Sequence, residues 1–579
     1  MFQDKYFVPK STDTYADVLT AWGLATVLSG VLFQAGVKKS NQVVVSERDT
    51  SFCVELPIAL EEAWVNAAAR DYLTFYLAKD ANAAADKKHA RAIDMNEQWG
   101  RVKGLKAWKE AGNDPKTDDP DLREQWLALQ THEYFNLFVG AQKLQADTPT
   151  NNVWDAFAEV EFPLLLKNVI NYFSHPARVL EGKAQSSATL LNPGQTMGTN
   201  SLSAVGARSD KIAAPWPLEW LKTIGYYQAA FCVSFQGSDG KTTGISVAVL
   251  TPRRISLRNH DEIRSRFAAG FYATSSLKLE CLAALNYALQ FLNFAATVSD
   301  LDDLKARRVA DAVSGFSFAN FMAMGHVFKL KRITFLAMPL WIRIAADGDT
   351  TPMRDAVEEH VHVLRPLDDK RGETRSLLDA YLSWSSSGDL RYLWTFTALY
   401  GAYRMECVGS KKLEYQPTAL STTNLEIILN QQTSGNKPLA PVVSDPHFQA
   451  VARAIRKSTI NALYQKDNLP SGIEVHYGLA QELRRLSPYK EKFVARLMQH
   501  LQTYNEENAK SSTRAINQNR TFRRANVTTQ DIDRIVELID DFGAETMCGL
   551  LLAYGYAKDV RDSDDDLSPS TAQNTPTNP

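Results

Sequence analysis

Two histidine-bearing stretches and one glycine-rich turn are where this chain's residue types could support catalysis. "RNHDEIRSRF" sets His260 beside Asp261, the doublet of a metal phosphohydrolase, and such a centre needs further His and Asp ligands. The competing reading puts both residues at a helix start, where an Asp is at home against the helix dipole. "EEHVHVL" places His360 and His362 two apart, a metal-binding spacing only if the segment is a strand, because alternate strand residues share a face. "GSDGKTTG" has the composition of a phosphate loop, yet a Walker loop needs glycine where this chain has Phe235. Its flanks also read strand-turn-strand rather than strand-loop-helix. No G-x-S-x-G or H-E-x-x-H occurs, and no cysteine has a recognisable histidine partner. The expectation is a protein that is not an enzyme and holds no metal or cofactor.

Binding chemistry is better represented. "TPRRISLRNHDEIRSRF" carries Arg253, Arg254, Arg258, Arg264 and Arg266, and "GHVFKLKRITF" carries Lys329, Lys331 and Arg332. Arg and Lys interleaved with aromatics suit phosphate and base contact; a solvated charged face is the alternative. Between Phe448 and Thr528 fourteen Lys and Arg stand against six Asp and Glu. Arg453, Arg456, Lys457, Arg484 and Arg485 are expected on outer helix faces, and Arg520, Arg523 and Arg524 fall in a polar loop before a helix. The whole chain has a formal net charge of −2, so a polyanion would be met by these local patches rather than by a global field.

The elements that must carry these residues follow from pattern. The 579 residues are too many for one ordinary core, and 45% hydrophobic with 22% charged residues describes a soluble globular protein. Five cysteines lie far apart, which fits free thiols in a reducing compartment and a cytoplasmic location. "VLTAWGLATVLSGVLF" is interrupted by Thr, Ser and Gly and reads as a buried amphipathic helix, capped near Ser11 to Thr14, rather than as a membrane span. Two hairpins are expected, one in "NQVVVSERDTSFCVELP" and one around "GSDG". Helices are expected over about 60–170 and 260–401, with an irregular, Gly/Ser/Asn-rich loop over 184–211. The fold class expected is mainly α with small antiparallel β elements, followed by a C-terminal α-helical bundle. The divisions are a body over 1–429, a Pro-containing linker over 430–446, the bundle over 447–558 and a disordered acidic tail over 559–579. In the bundle, Phe448, Val451, Ala452 and Ile455 share one face, Thr528 or Thr529 caps a helix and Gly543 stops it.

Two stretches carry a resemblance. "LLNPGQTMGTNSLSAVGARSDKIAAPWPLEWLKTIGYYQAAF" resembles a segment of large subunits of type I CRISPR surveillance complexes (Cascade, type I-A/I-B-like), where an Asn-Pro-x-Gln-x-x-Gly-x-Asn stretch precedes a Trp-rich helix. The stretch from "AIRKSTINALYQK" to "LLLAYGYAKD" is similar to the helical small-subunit module fused to such large subunits. Together the two cover about half the chain, and the resemblance implies a non-catalytic role. Guide-RNA pairing would read the target while the protein reads a short flanking motif in duplex DNA and stabilises the displaced strand of the R-loop. Asn192, Gln195, Asn200 and Lys211 would then face the motif, the Asn and Gln amides suiting base edges. The basic clusters would track nucleic-acid backbone. Implied partners are a CRISPR guide RNA, target double-stranded DNA, other Cascade backbone subunits and a recruited nuclease-helicase or transposition protein, with no membrane. A metal-dependent nuclease using His260 and Asp261, and a protein-only scaffold, are the rival readings.

Overall fold

The computed structural model describes residues 2–69, 76–78, 92–114, 119–129, 160–174, 180, 184–186, 190–193, 213–236, 243–270, 276–297, 308–324, 327–345, 348–369, 371–410, 417–464, 473–517 and 524–559. Mainly helical, with small antiparallel sheets, the chain divides into a first unit of Met1–Leu340 and a second of Trp341–Pro579. The division lies well before the Pro-containing stretch expected to be a linker.

The first unit opens with strand β1 (Lys5–Pro9) and helix α1 (Tyr15–Gln34). Thr14 caps α1 by accepting from the Ala16 amide, and Asp17 accepts from the amides of Thr12 and Asp13. The helix is long and apolar enough to cross a membrane, yet it is the core of this unit: 89% of its most apolar window is buried. It is therefore buried all round rather than amphipathic. Helix α2 (Phe162–Ser174) and helix α3 (Trp216–Ala229) belong to the same body. Helices α1 and α3 touch backbone to backbone. A Cβ on Gly23 would meet the Leu221 carbonyl oxygen at 2.0 Å, and one on Gly225 would meet the Leu19 carbonyl oxygen at 1.8 Å, so only glycine permits the crossing.

Two four-stranded sheets belong to the unit, beside two short pairs, the parallel Tyr76–Ala78 with Ala92–Asp94 and the antiparallel Ala184–Ser186 with Ala213–Pro215. Strands β2 (Val44–Glu47) and β3 (Ser51–Glu55) form the first expected hairpin. Strands β4 (Ala230–Gln236) and β5 (Thr243–Pro252) form the second. The short β6 (Arg254–Ser256) joins the first sheet at its edge, in the order β1-β3-β2-β6. Helices α4 (Leu257–Gly270) and α5 (Ser276–Thr297) follow. The expectation of helices throughout 260–401 fails next. Residues Val313–Met324 and Val327–Ala337 are strands β7 and β8, which extend the second sheet in the order β8-β7-β5-β4. Phe316 and Phe318 alternate with smaller residues, and Phe316 packs with Phe231, Phe267, Tyr287 and Phe318. That period of two is what a sheet face requires.

The second unit is a helical assembly with no long strand among its described residues. Its longer helices are α6 (Thr351–Leu364), α7 (Gly372–Ser387), α8 (Leu390–Gly409), α9 (Thr422–Leu429), α10 (Pro446–Ser458), α11 (Leu479–Leu486), α12 (Lys490–Asn517), α13 (Thr529–Phe542) and α14 (Ala544–Tyr556), with short helical turns at Ala440–Val443 and Ile460–Tyr464. Phe448, Val451, Ala452 and Ile455 of α10 are buried as expected. Thr528 caps α13 in a reciprocal box with Asp531, and Gly543 ends that helix with a positive φ. The expected linker is packed rather than extended: Leu439, Val442 and Val443 are fully buried, and Lys437 pairs with Asp541. Nor does the bundle begin at His447. A Cβ on Gly549 of α14 would strike the Trp394 ring of α8, and Arg404 of α8 donates to the Tyr556 carbonyl at 2.8 Å. Helix α8 thus belongs to the same core as α10 and α14.

Candidate nucleic-acid interface

The exposed cations of the first unit gather where β6 runs into α4. Ile255 and Leu257 are buried while Arg254 and Arg258 point outward, the alternation of a sheet edge turning into a helix. Backbone bonds fix the turn: the Arg253 amide donates to the Ala312 carbonyl, the Glu47 amide to the Arg253 carbonyl, and the Leu257 amide to the Val43 carbonyl, at 2.9, 2.9 and 2.8 Å. Arg254 stands opposite Ser46 in the register. The nearest carboxylate on the neighbouring strand, Glu47, is occupied by Lys10 at 2.8 Å and by the Ser314 hydroxyl. Arg253, Arg254 and Arg258 are exposed, and none has an ion pair among the described residues. The sequence reading also passed over other exposed cations of this unit. Arg48, at the β2–β3 turn, lies 5.8 Å from the Phe7 ring centre, and Lys38 and Lys39 precede the short turn Ser40–Gln42 that packs on α4. Their only signal was the Lys-Lys dipeptide of "VKKS" and an arginine inside a hairpin turn.

Other expected contacts are committed to the protein itself. Asn192 is 2% exposed, so it presents nothing to a base edge. Its amide nitrogen donates to Glu219 at 3.1 Å, and its oxygen accepts from the Lys222 ammonium at 2.7 Å. Glu219 and Lys222 are themselves paired at 2.9 Å, and Tyr15 donates to the Leu190 carbonyl at 2.6 Å. A buried ion pair needs its remaining polar positions filled, and Asn192 fills two of them. Gln195, Asn200 and Lys211 lie outside the described residues.

On β8 the exposed Lys331 faces outward, whereas Arg332 pairs with Glu280 of α5. Burial pushes the Glu280 carboxyl above its ordinary range, and Arg332 opposes that rise. Lys329 lies in β8 opposite Met322, its side chain outside the described set.

The basic faces expected in the second unit are largely turned inward. Arg456 is 2% exposed, donating to the Tyr554 carbonyl at 2.7 Å and pairing with Asp559 at 3.2 Å. Arg453 and Lys457 are half-buried and engaged. Arg484 donates to the Thr395 hydroxyl at 3.1 Å, and Arg485 alone of that pair is exposed. Arg524 stacks on the Tyr504 ring at 4.3 Å with its side chain 7% exposed, so it anchors its segment to α12 instead of facing outward. Arg520 and Arg523 lie outside the described residues.

The histidine doublet is also structural. His260 is fully buried, stacked on Trp22 at 4.0 Å, with Nε2 2.8 Å from the Gln228 carbonyl. Burial drives its pKa down to about 3, so the ring is neutral and braces α1, α3 and α4. Asp261 accepts from the Gln228 side chain. His360 and His362 sit on a helix, the first buried against Tyr381 and the second exposed. A two-residue step turns about 200° on a helix, so the pair does not converge. No group of three His, Cys, Asp or Glu is arranged for a metal among the described residues. No family model and no curated protein matches this chain.

Proposed function

We propose that this chain is a non-catalytic nucleic-acid-binding subunit of an RNA-guided type I CRISPR effector complex. In that role it recognises a motif flanking the target in duplex DNA and stabilises the displaced strand. The observation that carries the binding part is the ridge at β6 and α4, where three arginines are exposed and the neighbouring carboxylate is already occupied. An arginine without an internal partner keeps its full fork of donors for a phosphate. The subunit assignment rests on the two stretches that resemble Cascade large-subunit sequence. With Asn192 committed to Glu219 and Lys222, motif reading in this proposal falls to Gln195, Asn200 and Lys211.

The test is a salt titration of duplex DNA affinity with the full chain and its Arg253→Ala/Arg254→Ala/Arg258→Ala variant. Each phosphate contact contributes about 0.9 to the log–log salt slope. The expected result is a slope shallower by about 2–3 in the triple variant, with the unfolding midpoint unchanged. An identical slope in the two proteins would sink the ridge as a phosphate track.

A further inference from the structure

The first sheet keeps one face in the core and turns the other outward. Along β1, Tyr6 and Val8 are buried while Phe7 between them is 38% exposed, the alternation of a strand lying on a core. Register then carries Phe7 across the sheet to a cation. It stands opposite Cys53 of β3, Cys53 opposite Ser46 of β2, and Ser46 opposite Arg254 of β6. These four side chains share one face and form a single row. Three strand spacings of about 4.8 Å put Phe7 roughly 14 Å from Arg254. Cys53 and Ser46 are small and buried, so the long side chains stand at the two ends.

Arg48 reaches over the middle of this row from the β2–β3 turn, which its amide closes by donating to the Ser51 carbonyl at 2.8 Å. Its guanidinium carbon lies 5.8 Å from the Phe7 ring centre. That is the outer limit of cation–π range, so the guanidinium flanks the ring without sealing it. The same charge bears on Cys53, where it opposes the rise in thiol pKa that burial causes. The carboxylates on the sheet's strands are taken. Glu55, on this face, is closed by Lys5 at 3.0 Å, and Glu47, on the other, by Lys10 and the Ser314 hydroxyl. Asp49, exposed in the turn, is the acid that a phosphate would have to avoid. Strand β1 is a sheet edge, but Lys5 and Pro9 guard it against strand pairing. Phe7 therefore serves the face rather than the edge.

We propose that the outer face of this sheet binds single-stranded nucleic acid, with an unpaired base stacked on Phe7 and Arg48 and the adjoining phosphates running to Arg254. An aromatic ring and a guanidinium plane are the two side-chain surfaces on which unpaired bases stack. A duplex keeps its base faces against one another, so only an unpaired base can use this platform. The ridge at β6 and α4, which a duplex backbone can also touch, thereby gains a neighbour that selects a single strand. The biological setting rests on the function proposed above, whereas the base contact is read from the sheet alone.

Fluorescence anisotropy of the full chain with end-labelled oligothymidylate, oligouridylate and a base-free deoxyribose-phosphate strand of equal length, at one fixed salt concentration, tests this. The thymidylate or uridylate strand is expected to bind at least about tenfold tighter than the base-free strand, and the tighter of the two identifies the sugar. Phe7→Leu is expected to remove most of that preference while leaving base-free affinity unchanged, and Phe7→Tyr to keep it. Arg48→Lys, which keeps the charge and loses the plane, is expected to act like Phe7→Leu. Arg254→Gln is expected to weaken all three strands alike. Circular dichroism identifies any variant that has not folded, and Arg48→Lys, on an exposed turn, then carries the test. Equal affinity of the wild type for base-bearing and base-free strands would overturn the proposal, as would no binding at all. So would an undiminished preference in folded Phe7→Leu or Arg48→Lys. The ridge is judged separately by its duplex salt slope. A changed slope without base preference sinks the platform alone, and a base preference with an unchanged slope sinks the ridge alone.

Discussion

Arginines from two parts of this chain, alike in sequence, have opposite fates. At β6 and α4, Arg253, Arg254 and Arg258 remain outside, flanking the buried Ile255 and Leu257. In the second unit Arg456 and Arg524 sit among helices, one bonded to the Tyr554 carbonyl and Asp559, the other stacked on Tyr504. The difference teaches that a run of positive charge defines an interface only where the packing leaves its guanidinium groups without internal acceptors. Inside a bundle the same groups tie helix ends together.

The largest effect that sharpens this comparison concerns the extent of the helical unit. A fragment starting at Asp445 lacks α8 and therefore Trp394 and Arg404, so it is expected to lose cooperative unfolding. A fragment starting at Trp341 is expected to keep it. Circular dichroism melts of the two fragments decide; a sharp transition in the shorter one would show that the C-terminal helices hold themselves together.

Acid is the next lever. Burial holds His260, His360 and His500 down to about 3, below the ordinary histidine value. Since the folded pKa values are depressed, the unfolded chain binds more protons between about pH 6.5 and 3. The stabilisation is complete above the unfolded value and is lost as pH falls through that window, by up to about 1.4 kcal/mol per pH unit for each ring. His500→Gln is expected to flatten the pH dependence of urea midpoints for the Trp341–Pro579 fragment. An unchanged profile would mean that His500 accepts a proton without cost in the native state.

The smallest effect is the most direct contrast. Arg456→Ala is expected to cost about 3 kcal/mol, because it leaves Asp559 and a buried carbonyl without their donor. Arg254→Ala is expected to change stability by less than about 0.5 kcal/mol. Urea unfolding of both variants tests the pair, and similar losses would erase the distinction between the two regions.

What the sequence discloses follows the range over which its causes act. Caps and apolar faces are local: Thr528, Gly543 and the Phe448–Val451–Ile455 stripe lie where the pattern puts them. Strands β7 and β8 carried a local signal too, the alternation around Phe316 and Phe318, but it lay between strongly helical stretches and was absorbed into them. The stretch 430–446 was misread because its prolines and polar residues outweighed Leu439, Val442 and Val443, whose burial depends on the surrounding fold. The burial of Asn192 and Arg456 had no local signal at all. Their partners are 27 to 103 residues away, and an exposed and a buried arginine look the same in one dimension.

The glycine crossing of α1 and α3 also has a consequence in time. Leu19 and Gly225 are separated by roughly two hundred residues, and synthesis proceeds at about 5–20 residues per second. Helix α1, apolar enough to pass for a membrane span, therefore emerges some ~10–40 s before the surface that covers it exists. During that interval it is the most adhesive part of the nascent chain. Shielding α1 until Gly225 arrives is therefore expected to raise the yield in heterologous expression.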